Sequence, residues 1–457
     1  MPSLTAVKYT NKKIKKYMKI GGIALGAIAV ITAAVLFVTK SGILNKKVDT
    51  DGKDFRMTSA MNSVVSGTEF HKGYMFSRTT KLLSEDRAME PFVLSWYLIP
   101  GTTRSVPEME SSYVDTLDQV LLLESYILEG KRSKADAMIK SIDNSLTDES
   151  GFLFSFKRAD DLISPDSRTK TQLSDLYEDP LYIRYSEPPV SLAATTRYLR
   201  ALLNYYDKWG GSSLFSRIKE LSGKIFSSGE QTTYRPADQL AMPTPEPVTE
   251  KSLITPIPEQ PEEDPEKMVA LSGIELGGLD LEALRRATVL WSEYKEKYES
   301  LVEMVKGGKI SQDLPLYAWM YSEESGYMYY TGSSGEVDLV SSLRVMVYLA
   351  EIGQLDKEGY AWVSQQIYNA GVLYESYDVI SGYALSEKEA YEAYPLVLYL
   401  ALIKGDEDLF SVTYNVMMRN YATLSTSTAL YAFFRDVEDS RIAVYARENL
   451  LMELILR

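Results

Sequence analysis

The feature that most limits how this chain can fold is a repeated couplet: an apolar helix, a polar turn at or beside glycine, and a second, more polar helix. YILEGKRSKADAMI from Tyr126, YLAEIGQLDKEGYAWV from Tyr348 and YLALIKGDEDLFSV from Tyr399 share that plan. Glycine suits the left-handed residue that ends many helices, and a recurring plan marks a repeat architecture. Apolar periodicity predicts first helices at 117–129, 190–206, 279–305, 337–352, 391–404 and 426–435. More polar partners are expected at 133–145, 213–227, 357–370, 407–419 and 440–456. In 117–129, Leu117, Val120, Leu121, Leu123, Ile127 and Leu128 form one broad stripe. Sustained two-residue alternation is scarce, so the class is all-α.

Helical hairpins stack as an open solenoid or close into a ring. Solenoid repeats keep a near-constant length. Here the spacing varies and long loops intervene, which favours a closed toroid of about six hairpins running from residue 79 to the C-terminus. SGFLFSF from Ser150, SGYMYYT from Ser325 and AGVLYESY from Ala370 read as short extended segments at one rim. Residues 228–274 include TPEPVTEKSLITPIPEQPEEDPEKM, rich in Pro and Glu. They read as a disordered or extended insertion, since neither half of the chain alone holds enough hairpins to close a ring.

The N-terminus carries a different signal. Lys8, Lys12, Lys13, Lys15, Lys16 and Lys19 form a basic tail over 1–19, and the run from Ile20 to Val38 has no charge. At 1.5 Å per residue such a run spans about 28 Å, close to the ~30 Å hydrocarbon core of a bilayer. The lysine excess before it predicts a cytoplasmic N-terminus and a single-pass anchor with the rest of the chain outside the cell. A cleavable signal peptide is the competing reading, and the apolar run is longer than the usual signal core. Polar residues 39–66 read as a stalk and 67–457 as the exported domain.

Composition removes several chemistries. There is no cysteine, and His71 is the lone histidine. Disulfide frameworks, thiolate metal sites, His-rich zinc sites and Ser-His-Asp triads are excluded. No metal or other cofactor is implied, and a net charge of −14 argues against a nucleic-acid partner. Acid–base work falls to Asp, Glu, Tyr or Lys.

In a closed ring of hairpins the inner helices run one way, so their N-termini share a rim with partial positive charge and unpaired N–H groups. The expected inner starts are SSYVDTLDQV at 111, EPPVSLAATT at 187, GEVDLVSSL at 335, EAYEAYPLV at 389 and STSTALYAF at 425. Acids or aromatics crowd most of them. Tyr113, Asp115, Asp118, Glu336, Asp338, Glu389, Tyr391, Glu392 and Tyr394 thus could face one cleft, and Tyr317, Trp319, Tyr327, Tyr329 and Tyr330 precede Glu336 closely. Acids at helix starts also serve as ordinary caps. In GEVDLVSSL the expectation is that Glu336 caps while Asp338 looks inward. Paired carboxyls with aromatic platforms are what glycoside hydrolysis needs: one acid protonates the leaving oxygen and another carboxylate activates water.

The region resembles the six-hairpin (α/α)6 glycosidases, nearest to glycoside hydrolase family 8, whose base segment has the form T-D-x-D-L-D-I-A. SSGEVDLVSSL at 333–343 resembles it, with Glu336 and Asp338 on the second and third acidic positions and Ser334 where the family has its base. The family's acid motif, Ser-Glu-Gly followed by Gly-Tyr-Gly, has no clear match here; TEFHKGYMF at 68–76 offers Glu69 before Gly-Tyr at a different spacing, and SYVDTLDQVLLL at 112–123 resembles a pattern of related toroids with Asp118 at the mouth. The resemblance implies an (α/α)6 fold and an inverting hydrolase of an envelope or secreted polysaccharide. Asp118 or Glu69 would be the acid and Asp338 or Glu336 the base. Tyr113, Trp319, Tyr327, Tyr391, Glu392 and Tyr394 would line subsites. Ser334 at the base position motivates the alternative, an inactive toroid that binds polysaccharide or a polysaccharide-synthesis partner. A Tyr-based lyase would need cationic residues at the cleft, for which Arg197 and Arg344 are the candidates.

Overall fold

The computed structural model describes residues 48–70, 92–100, 109–111, 113–158, 190–227, 231–236, 268–329, 335–437 and 441–457. Its helices alternate between an inner and an outer layer. The inner helices are α2 (Thr116–Leu128), α4 (Leu192–Trp209), α6 (Leu281–Leu290), α8 (Leu339–Glu351), α10 (Ala393–Lys404) and α12 (Ala446–Leu456). Around them stand α3 (Arg132–Ser145), α5 (Ser212–Ser227), α7 (Lys295–Gly307), α9 (Lys357–Ala370) and α11 (Glu407–Met417). The short α1 (Ser59–Val65) packs on α11. Each inner helix packs against the next, and α12 returns to pack on α2, so the ring is closed. Leu122, Leu199, Leu202, Leu284, Leu349 and Val397 are fully buried within it.

Local chemistry sets these boundaries. Carboxylates or hydroxyls cap four inner helices: Asp115 on α2, Ser191 on α4, Asp280 on α6 and Asp338 on α8, each accepting a hydrogen bond from a first-turn N–H. The glycines of the three repeated turns, Gly130, Gly353 and Gly405, all lie at φ between 68° and 77°. A Cβ would be strained there, and the chain can reverse from inner to outer helix within a few residues.

Short strands gather at the end where the inner helices begin. β3 (Tyr113–Asp115) runs into α2 and pairs with β4 (Phe156–Arg158), while β9 (Glu336–Asp338) runs into α8 and pairs with β10 (Ser376–Asp378). β12 (Arg441–Tyr445) runs into α12 and lies between β11 (Arg435–Val437) and β1 (Trp96–Pro100), with β2 (Met109–Glu110) beyond. The fourth sheet holds β5 (Gln231–Pro236), β6 (Met268–Glu275), β7 (Met320–Ser322) and β8 (Gly326–Met328) in that order. β6 leads through a 3-10 turn into α6. The three Gly-aromatic segments feed β4, β8 and β10, so these segments build the rim.

The structure departs from expectation at three places. No helix occupies 426–435; that stretch is turns ending in β11, and the sixth inner helix is α12, expected as part of an outer one. Its polar residues misled the periodicity: Glu448 is fully buried and Glu453 nearly so, held by Arg435 and by Ser125 and Arg457. The stretch 279–305 breaks at Trp291 into inner α6 and outer α7. From Val48 onward the expected stalk is part of the domain, with Thr50 fully buried between Asp207 and Arg286, and Met61 buried in the core. The apolar run 20–38 lies outside the described residues, as do His71 and Ser334; among the described residues no helix is long and apolar enough to cross a membrane.

Candidate functional site

The rim acids fall into two layers. Uppermost are the residues of β3 and β9, two strands that play the same part in two equivalent units. Tyr113-Val114-Asp115 and Glu336-Val337-Asp338 each bury the valine (0% and 1% exposed) and use the aspartate as the helix cap. Asp115 accepts from the Leu117 N–H at 2.9 Å, and Asp338 from the Ser341 N–H at 2.6 Å. The cap of α8 is therefore Asp338, the reverse of the sequence reading. Helices α2 and α8 lie three steps apart in the ring of six, so these two strand–helix corners face each other across it.

Below them runs a chain of alternating charges that crosses the ring. Arg447, in the first turn of α12, donates to Asp118 of α2, to Asp115 at 2.5 Å, and approaches Glu392 at 3.7 Å. Glu392, just before α10, accepts from Arg344 of α8 at 2.5 Å. Four inner helices are thereby tied at their N-terminal ends. Burial pushes the Asp118 carboxyl up to about 7 against the pull of Arg447. Burial acts the same way on Glu392, but Arg344 and then Arg447 outweigh it and hold that carboxyl at about 2. Burial alone would depress the Arg447 guanidinium, yet Asp115 and Asp118 keep it well above its usual range.

Beneath this floor the ring encloses a cavity of about 1140 Å³ that extends to the C-terminal ends of the inner helices. Its wall repeats the pattern of paired charge. Arg197 holds Glu124 at 2.7 Å, and Arg200 holds Asp280 and Glu351 at 2.5 Å each. Lys53, from the N-terminal stretch that crosses that end, donates to the Glu351 carbonyl at 2.5 Å. Arg197 and Arg344, the cations a lyase would need, are thus both committed to carboxylates.

The proposed site residues scatter more than the sequence suggested. Asp118 is 2% exposed, so its carboxyl serves the ion chain and does not open on the rim. Glu69 is exposed, with its backbone N–H and carbonyl both bound to the Tyr421 hydroxyl. Trp319 is 1% exposed, packed with Met320 and Met328, and its indole N–H donates to Glu275 at 2.9 Å, so it braces the wall and offers no stacking face. Tyr394 is as buried and donates to Glu389. Tyr327 donates to the Met304 carbonyl at 2.8 Å beside Tyr321. Tyr113, Tyr391, Glu336 and Asp338 are partly exposed at the rim. Sequence reasoning missed Arg447 because its helix was taken for an outer one. Among the described residues no cluster of His, Asp or Glu could hold a metal ion.

No family model matches this chain, and no curated protein does. Solved structures do. An alpha-amylase from Clostridium perfringens superposes with a TM-score of 0.57 at 16% identity, covering 84% of this chain and 98% of that one. PssZ from Listeria monocytogenes gives 0.48 at 11% identity, covering 86% and 97%. The endoglucanase Cel10, a family 8 glycosyl hydrolase from Klebsiella pneumoniae, gives 0.42 at 11% identity, covering 74% and 98%. The closed ring of hairpins and the superposition on the amylase agree: this chain has an (α/α) toroid fold like that of the amylase.

Proposed function

We propose that this chain is a membrane-anchored glycoside hydrolase that acts outside the cell on an envelope or secreted polysaccharide, with its reaction at the strand rim. One observation carries the reading. Two equivalent corners face each other across the ring, and they differ at the first strand residue: Tyr113 on one wall and Glu336 on the other. An aromatic face opposed to a carboxyl, with the cap carboxylates Asp115 and Asp338 beside them, supplies a sugar-stacking surface and an acid–base pair. Attack by water from the far side of the sugar requires carboxyls about 6.5–9.5 Å apart and inverts the anomeric centre. Amylase and endoglucanase neighbours make soluble starch and a cellulose derivative the first substrates to test. Wild type releases reducing ends from one of them, with an inverted anomer by NMR. Glu336→Gln lowers the rate by about 10²–10⁴-fold, the range for loss of a general acid or base, while the chain still folds. Full activity in Glu336→Gln overturns the assignment.

A second reading also has its observation. The interior carboxylates Asp118, Glu124, Glu351 and Glu392 are each held by an arginine, as expected of a ring whose charges serve structure. In that case the toroid binds polysaccharide, or a polysaccharide-synthesis partner, without turnover. Retention of wild type on a polysaccharide from which no reducing ends appear is its signature.

A further inference from the structure

The stretch between α11 and β11 is a folded loop on the strand rim, and it holds a tyrosine in a conformation tyrosine does not choose. Tyr431 sits at φ 67°, in the left-handed region where a Cβ crowds the next carbonyl and which glycine or asparagine normally fills. Such strain persists only where the surroundings enforce it. Here the Tyr431 N–H donates to the Ala422 carbonyl at 2.7 Å, and the Ala422 N–H donates to Ala432 at 2.9 Å. Asn449 of α12 then clamps Phe433 through both its N–H and its carbonyl, each at 2.9 Å.

Core packing does not explain the ring so displayed. Ala429, Ala432 and Phe433 around it are fully buried, whereas Tyr431 is 38% exposed. Its ring lies nearly parallel to that of Tyr421, 24° between planes and 6.4 Å between centroids. Tyr421 is fixed in turn by its hydroxyl, which donates to the Glu69 carbonyl at 2.8 Å, and Asn420 reaches the rim residue Tyr391 at 3.3 Å. Two aromatic faces are thus held rigidly beside the acidic mouth.

We propose that Tyr421 and Tyr431 form a stacking platform for a pyranose ring of a polysaccharide strand lying across the rim. The inference rests on the reading of that rim as a saccharide site. A sugar's C–H face is apolar and flat, and a tyrosine locked in place covers it at little further entropic cost. The loop feeds the sheet at α12 and Glu336 leads into α8, two steps away in the ring, so the platform serves an extended polymer chain and not a monosaccharide.

Affinity electrophoresis of the full chain through gels containing soluble starch or hydroxyethylcellulose tests it, in the Glu336→Gln background so that the polymer is not cut. Tyr431→Asn accepts the left-handed backbone and removes the ring; Tyr431→Phe keeps the ring. The expected result is about tenfold weaker retardation in Tyr431→Asn, the loss of one stacked ring, with Tm at the parent level and retardation retained in Tyr431→Phe. Undiminished retardation in Tyr431→Asn, or weakened retardation with a fallen Tm, overturns the platform; cutting of the same polymer by wild type then leaves the hydrolase reading standing. Absence of both retardation and cutting on every polymer overturns both.

Discussion

Arg447→Met keeps the apolar stem of the side chain and deletes the guanidinium that joins α12 to α2 and α10. Asp115 and Asp118 lose an ion-pair partner, and Glu392 retains Arg344. Removing one partner of a buried pair costs about 3–5 kcal/mol. At an unfolding entropy near 2.1 cal/mol/K per residue, a domain of this size shifts by about 1.2 °C per kcal/mol, so Tm falls by about 4–6 °C at pH 8. The pH dependence has a definite sign. Burial holds Asp118 at about 7 in the folded chain, above the unfolded value of about 3.9. Stability from that shift is present at low pH and is lost as pH rises through 7. Arg447 opposes the shift, so its removal raises the Asp118 pKa further and extends the loss to higher pH. The penalty of Arg447→Met is therefore smaller at pH 5, where Asp118 is protonated in both proteins, and larger at pH 8. Urea unfolding followed by tryptophan fluorescence at the two pH values measures it. A penalty below about 1 kcal/mol, or one that is flat from pH 5 to 8, refutes the account of the rim floor.

The same linkage predicts that Asp118→Asn flattens the decline of stability between about pH 4 and 7, read from urea midpoints; a slope equal to wild type would mean that Asp118 is not the titrating group. Asp338→Ala removes the cap of α8 and costs about 1 kcal/mol, whereas Asp338→Asn caps almost as well and costs little. Equal destabilisation by the two in thermal melts would show that the charge of Asp338, and not its hydrogen bond to Ser341, matters to the fold.

Much of the ring was legible because its turns obey local rules. Gly130, Gly353 and Gly405 marked the reversals, and the apolar stripes of α2, α8 and α10 gave those inner helices nearly to their ends. What escaped was polarity paired inside the ring. Glu448, Glu453 and Arg447 read as a solvated face, since a one-dimensional pattern does not show that Arg435, Ser125 and Asp118 wait for them on other elements. The same blindness enlarged the candidate site. Trp319 and Tyr394 stand at sequence positions adjacent to the rim, yet their polar tips are spent on Glu275 and Glu389 inside the wall.

The equivalence of the two corners shows which of Glu336 and Asp338 the helix needs. A duty that recurs at both belongs to the scaffold: the valine fills the core, and the aspartate satisfies first-turn N–H groups that would otherwise lack a partner. Asp338 is therefore required for the helix whatever else it does, and its removal perturbs α8 along with any activity. Glu336 carries no such recurring duty, because its counterpart Tyr113 has neither its charge nor its shape. The first strand residue is the position at which the two corners differ in charge and shape. We therefore choose Glu336, and not the more buried Asp118 or the helix-capping Asp338, as the carboxyl whose amide replacement tests the reaction proposed at the rim.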